Sequence, residues 1–249
     1  MSVSRAQLKT KAESWAQDDA ARISHADPGD LGTAIDRAVE LYNQDRPRIA
    51  YATSSGDAAT FDFAVPSGWV ENFSHLKLVE TPYPPAGTQR ERNTVYNADA
   101  PNSPEEIEVL KNSSGVTRLV FRSITPESGT NNILWVFTTQ HTVHASTPSS
   151  STIPANDVEA LGMLVAAFMC EMLASKYAET SDVDISTDVV DYRSKSAEYE
   201  RRGKELKLRY EEHLGRSPSG ARKASGGFAD WDIYMQHGRD RLFHRARER

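Results

Sequence analysis

Apolar positions near the start of the chain recur at helical spacing. Between Ala6 and Asp19, the residues Leu8, Ala12, Trp15 and Ala16 fall on one side of a helix. A turn at His25-Ala-Asp-Pro-Gly follows. Asp27 ahead of Pro28 predicts a helix start there, with a carboxylate to accept free backbone N–H groups and a proline in the first turn. Leu31, Ala34, Ile35, Ala38, Val39 and Tyr42 then form an apolar stripe that Pro47 ends. Two short helices joined by a turn are expected over residues 1–47.

From Arg48 the period changes to that of strands. FDFAVP, HLKLVETPY, RNTVYNAD, IEVLKN, TRLVFRSITP and ILWVFTTQHTV are short and rich in β-branched and aromatic residues. Gly, Pro, Asn or Ser clusters separate them. Ser113-Ser-Gly115, between IEVLK and VTRLVF, is a hairpin signal. Residues 48–145 therefore predict a small antiparallel β domain of about six strands.

Residues 145–154 are rich in Ser, Thr and Pro and read as a linker. A helix is expected from Asn156-Asp157 to about Glu179, with Val158, Leu161, Val165, Phe168 and Met172 on one face. Met163, Leu164, Ala167 and Leu173 occupy much of the rest, so the helix is apolar nearly all round and needs cover on most sides. Its residues are expected in a core or a subunit interface, with a second subunit supplying part of the cover. After a linker near Thr180 to Ser186, a charged helix runs from about Thr187 to Leu214, with Tyr192, Tyr199, Leu206 and Tyr210 as anchors. Gly215, Pro218 and Gly220 stop it. The expected class is α+β: a bundle of about four helices, from residues 1–47 and 146–214, with the β domain inserted. Residues 215–249 are expected to form an extended C-terminal arm.

Composition narrows the field. The chain has 249 residues, 38% hydrophobic and 26% charged, as expected of a soluble protein with a sizeable core. The apolar stretch from Ala160 to Cys170 is shorter than the roughly 20 residues a bilayer requires. The charged, amphipathic start has no apolar core like that of a signal peptide. The expected location is a cytoplasm or a particle assembled there. Cys170 is the single cysteine, which excludes an internal disulfide and a multi-cysteine zinc site. Within LGMLVAAFMC it reads as a small buried hydrophobe. Net charge is −6, unevenly spread: from Gly215 to Arg249 eight basic residues face four acidic ones, a net +4 against −10 for the rest. Opposite signs on arm and body suit an arm that reaches an acidic protein surface or nucleic acid.

Chemistry-bearing motifs are wanting. The sequence has no glycine-rich phosphate loop, nucleophile elbow or paired-histidine zinc motif. His141 and His144, three apart in an expected strand, point to opposite faces and do not chelate together. Asp182, Asp184 and Asp188 lack the glycine and terminal glutamate of a calcium loop and read as solvated acids. No catalytic set, metal site or cofactor is expected. The arm is the informative exposed segment. Phe228, Trp231, Ile233, Tyr234 and Met235, then Leu242 and Phe243, are costly to leave in water. With Arg239, Arg241 and Arg245 they are the residue types enriched at protein interfaces. Residues 230–235 fit docking in a partner's groove as a strand or short helix, and the alternative is that this segment folds back onto the chain's own body. Alternation of basic and aromatic residues also fits nucleic acid, although four acids dilute it.

The opening SRAQLKTKAESWAQ, followed by a helix ending in AVELYNQDRPR, resembles the start of head–tail adaptor (connector) proteins of tailed bacteriophages. EALGMLVAAFMCEMLASKYAETSDVDIS and DVVDYRSKSAEYERRGKELKLRYEEHL are similar to that family as well. The likeness covers about residues 4–50 and 150–215 and lies in order and texture. It implies a non-enzymatic subunit of a helical bundle in the virion neck, typically twelve copies in a ring beneath the portal. It also implies a C-terminal segment, here Phe228 to Phe243, that docks on the portal protein. Implied partners are the portal, a tail or nozzle protein, further copies of the chain and, transiently, genomic DNA in the channel, with no membrane. An acidic body suits a DNA channel, because a basic lumen would retain the duplex. The β domain departs from the simplest family members and is expected to face a tail component, a nozzle or the capsid rim. Two rival readings remain open: another neck or tail component built around the β domain, and a nucleic-acid-binding regulator using the basic C-terminus.

Overall fold

The computed structural model describes residues 3–18, 21–83, 94–98, 107–179 and 192–215. Helix α1 spans Arg5–Ala16 and opens with a capping box: Ser4 Oγ accepts the Gln7 N–H, while the Gln7 side chain accepts the Ser4 N–H. It buries Leu8, Ala12 and Ala16, the predicted face. Helix α2 spans Asp30–Asp45 and buries Leu31, Ala34, Ile35, Ala38 and Tyr42, again as the stripe predicts.

The start of α2 corrects one expectation. Gly29, not Asp27, occupies the cap position, and no side chain caps the helix there. The Asp27 carboxylate instead accepts two hydrogen bonds from the Arg5 guanidinium, at 2.8 and 3.1 Å. Arg5 holds this carboxyl below its usual range and reaches Asp36 on α2 as well. A residue placed to cap its own helix has been taken by a cation on the preceding one.

Helix α3, Val158–Glu179, is the centre of the bundle. Helices α1, α2 and α4 (Tyr192–His213) all pack on it. Leu161, Val165 and Phe168 are buried, while Val158 and Met172 are partly buried against the same cluster. The apolar surface of α3 is therefore covered largely within its own chain, and no second subunit is needed to account for it. By length and composition residues 155–179 match a membrane span, which a count of Ala160 to Cys170 alone underestimates, yet 72% of their most apolar stretch is buried in the bundle. Helix α4 meets α3 at Ser196, Tyr199 and Gly203 and buries Leu206 and Tyr210 in the same apolar cluster, positions that recur every three or four residues. Ser196 Oγ donates to Ala174 O, and Tyr199 stacks on Tyr177 at 5.4 Å. Gly203 permits the close approach: a Cβ there would lie 3.2 Å from Ala167 O.

Among the described residues, the inserted region holds seven strands: β1 Arg48–Gly56, β2 Asp62–Ala64, β3 Leu76–Glu80, β4 Thr94–Asn97, β5 Ile107–Lys111, β6 Thr117–Phe121 and β7 Gly129–Thr139. They form two antiparallel sheets, ordered β1-β7-β3-β4 and β2-β6-β5. The Ser113–Gly115 turn joins β5 to β6 as predicted; Lys111 pairs with Thr117, and Gly115 takes φ +77°. Trp135, Phe137 and Ile133 of β7 face Phe63, Leu119 and Phe121 of the smaller sheet in a second core, separate from that of the bundle. The class is α+β, with four helices and two small sheets among the described residues.

Two further expectations change. β1 is a strand that the reading by apolar runs passed over; its inward positions are Ala50, Ala52 and Ser54, too small to mark a buried face. The presumed linker over residues 145–154 is instead packed structure. Ser151 and Ile153 are buried, Arg5 N and Ala6 N donate to His144 O and Ala145 O, and Thr142 and Thr152 exchange hydrogen bonds.

Candidate interaction surfaces

The polar junction between bundle and β domain is built around Asp157, which ends a short 3-10 turn just before α3. Its carboxylate is 1% exposed. It accepts Tyr42 Oη from α2 at 2.5 Å and the Arg46 guanidinium at 2.9 Å, and His213 Nε2, from the last turn of α4, lies 3.0 Å away. Burial pushes this carboxyl up, but the hydrogen bonds from Tyr42 and His213 and the Arg46 charge outweigh it and hold it below the ordinary range. The same cause, burial, together with the Asp157 bond, raises the Tyr42 phenol. Tyr210 of α4 donates to Asp45 close by, at 2.9 Å.

The strand end is tied to the same place. Asn43 Oδ1 accepts the His141 N–H at 2.7 Å, and the His141 ring lies 5.2 Å from that of Tyr42. Burial pushes the His141 imidazole down. Its Nδ1 contacts Thr152 O, whereas His144 Nδ1 accepts N–H groups of Ser146 and Thr147. These two histidines are therefore engaged separately. They lie beyond β7, which ends at Thr139, rather than within a strand as expected. Side chains from α2, from α4 and from Arg46 on the way to β1 thus converge on one carboxylate at the start of α3.

Among the described residues, exposed large apolar side chains gather on the β domain: Ile49, Tyr51, Phe61, Val109, Leu110 and Val116, with Leu208 on α4 the exception. Ile49 and Tyr51 lie on the outward row of β1, opposite Thr138 and Val136 of β7. Val109 and Leu110 lie on β5, one edge of the smaller sheet. Exposed apolar side chains grouped on sheet edges are the mark of a surface that meets another chain. A groove of 670 Å³ between the starts of α1 and α3 is lined by Val3, Ala6, Gln7, Thr10, Lys11 and Val158, among others. Lys11, its charged member, is bonded to Glu159.

Among the described residues, no three His, Cys, Asp or Glu side chains are grouped to hold a metal ion. Cys170 is buried, and burial pushes its thiol up to about 11, which keeps it protonated and unreactive near neutral pH. Asp182, Asp184 and Asp188 lie outside the described residues, as do Phe228, Trp231, Ile233, Tyr234, Met235, Arg239, Arg241, Leu242, Phe243 and Arg245. Sequence reasoning missed the β1 edge and the Asp157 cluster. Ile49, Tyr51 and Thr53 at a spacing of two carried a signal for the first; the second joins residues 42, 46, 157 and 213, and no local pattern reports it. No protein-family model matches the chain, and no curated protein matches it.

Proposed function

We propose that the chain is a structural subunit of a tailed-phage neck, a head–tail adaptor that assembles as a ring beneath the portal and surrounds the path of the DNA. One observation carries this reading. The bundle covers its own most apolar helix, while exposed apolar side chains collect on the edges and outer face of the inserted β domain. That division suits a stable building block that presents one module to neighbours. The arm, residues 215–249, continues from α4 at the Asp157 junction and holds the aromatic and arginine residues that fit a portal groove. In a ring of about twelve arms, modest affinity at each yields a durable joint.

The arm is tested by removing it. A chain ending at Gly215 is expected to keep the helical and β circular-dichroism signature of the full chain and to lose co-purification with the portal. Portal binding by the shortened chain at full-length affinity contradicts the docking role.

A further inference from the structure

The β1 strand presents the least protected sheet edge among the described strands. Exposed edges recruit other strands through their unpaired N–H and C=O groups, and proteins blunt them with short length, bulges, charge or proline. β2 and β4 have three and four residues, and β5 carries Glu108 and Lys111. β1 has nine residues and, from Ile49 to Gly56, neither charge nor proline. Its register with β7 is unbroken from Arg48 to Ser54, with an irregularity only at the far end. Ile49 is 52% and Tyr51 70% exposed.

The chain itself supplies a candidate strand at the foot of this edge. Tyr210 bonds Asp45, and His213 shares Asp157 with Arg46, so α4 ends beside the residues that lead into Arg48. Residues 216–227, RSPSGARKASGG, are rich in glycine and serine, and a flexible chain of that length and composition spans roughly 20 Å. Beyond it Trp231, Ile233 and Met235 alternate with Asp232 and Tyr234, the period of a strand with one apolar side. We infer that residues 231–235 of the same chain add as an extra strand to the free edge of β1, with Trp231, Ile233 and Met235 covering Ile49 and Tyr51.

Starting from the foot, the added strand runs parallel to β1, which needs the least reach. A tether this short holds the segment at an effective concentration on the order of millimolar, which favours the chain's own arm over that of another copy. The inference deepens the proposed function and rests on it for the arm's destination: β1 holds the portal-docking segment until the portal takes it. Storage on β1 hides apolar surface in the free subunit that otherwise invites aggregation.

Hydrogen exchange on the full-length chain tests this. With Trp231→Asp and Ile233→Asp combined, the amides from Ala50 to Thr53 are expected to exchange about tenfold faster than in the wild type, with α3 unaffected. Protection in the wild type should not change on tenfold dilution. Equal exchange in wild type and variant overturns the inference, and so does protection that disappears on dilution, which assigns the edge to a second copy. Portal co-purification of the same variant reads the docking role separately: protection lost with portal binding retained keeps the β1 contact and removes the proposed destination.

Discussion

Replacing Asp157 with alanine is expected to lower the stability of the bundle by about 2–4 kcal/mol. The side chain is buried, and its removal strands the Tyr42 hydroxyl and takes the acceptor from Arg46 and the partner from His213. Tyr42 is itself fully buried, so its hydroxyl has no water to turn to. Asp157→Asn keeps an acceptor and should cost less than alanine, and Tyr42→Phe about 1–2 kcal/mol. Urea unfolding at neutral pH measures all three; a loss below about 1 kcal/mol for Asp157→Ala contradicts the role given to this cluster. The pH dependence has a definite sign. The folded carboxyl titrates below its ordinary value, so its contribution is complete above about pH 4 and is lost as pH falls through the folded value. The gap between wild type and Asp157→Ala should therefore narrow in acid.

Trp135→Ala is expected to cost about 3–5 kcal/mol, but in the other core. Trp135 has no exposed surface, its ring lies 5.9 Å from Phe63 and 5.7 Å from Phe121, and its indole N–H donates to Ser54 Oγ. Nothing in the bundle fills the space it leaves, because the two apolar clusters are separate. The β domain should lose its protection against hydrogen exchange while α3 keeps its own. Concerted loss of protection in both regions contradicts the division into two cores.

Helices were legible in the sequence because each of their faces reports on a neighbour. Leu8, Ala12 and Ala16, and Leu31 to Tyr42, repeat at 3.6 residues since α3 covers one side only. α3 lacks that periodicity for the opposite reason, being enclosed by three helices, and the sequence alone does not say whether its cover comes from the same chain. That ambiguity is what led to the expectation of a second subunit on α3. Strand β1 escaped because its inward face is alanine and serine, while Asp27 misled because its local position suits a cap and its actual partner, Arg5, is remote in sequence. The Asp157 cluster draws on four distant segments, so only the fold brings it together. Of the candidate site, the β1 edge left its signal only in the outward row of Ile49, Tyr51 and Thr53, and the arm lies outside the described residues.

The adaptor reading itself meets its most direct test in electron microscopy of the chain mixed with the portal protein encoded beside it. The account predicts a twelvefold ring seated beneath the portal, with the β domains at its periphery or lower face and an open axial channel. A sixfold ring or a tube formed without the portal, or particles that never associate with it, contradicts the account.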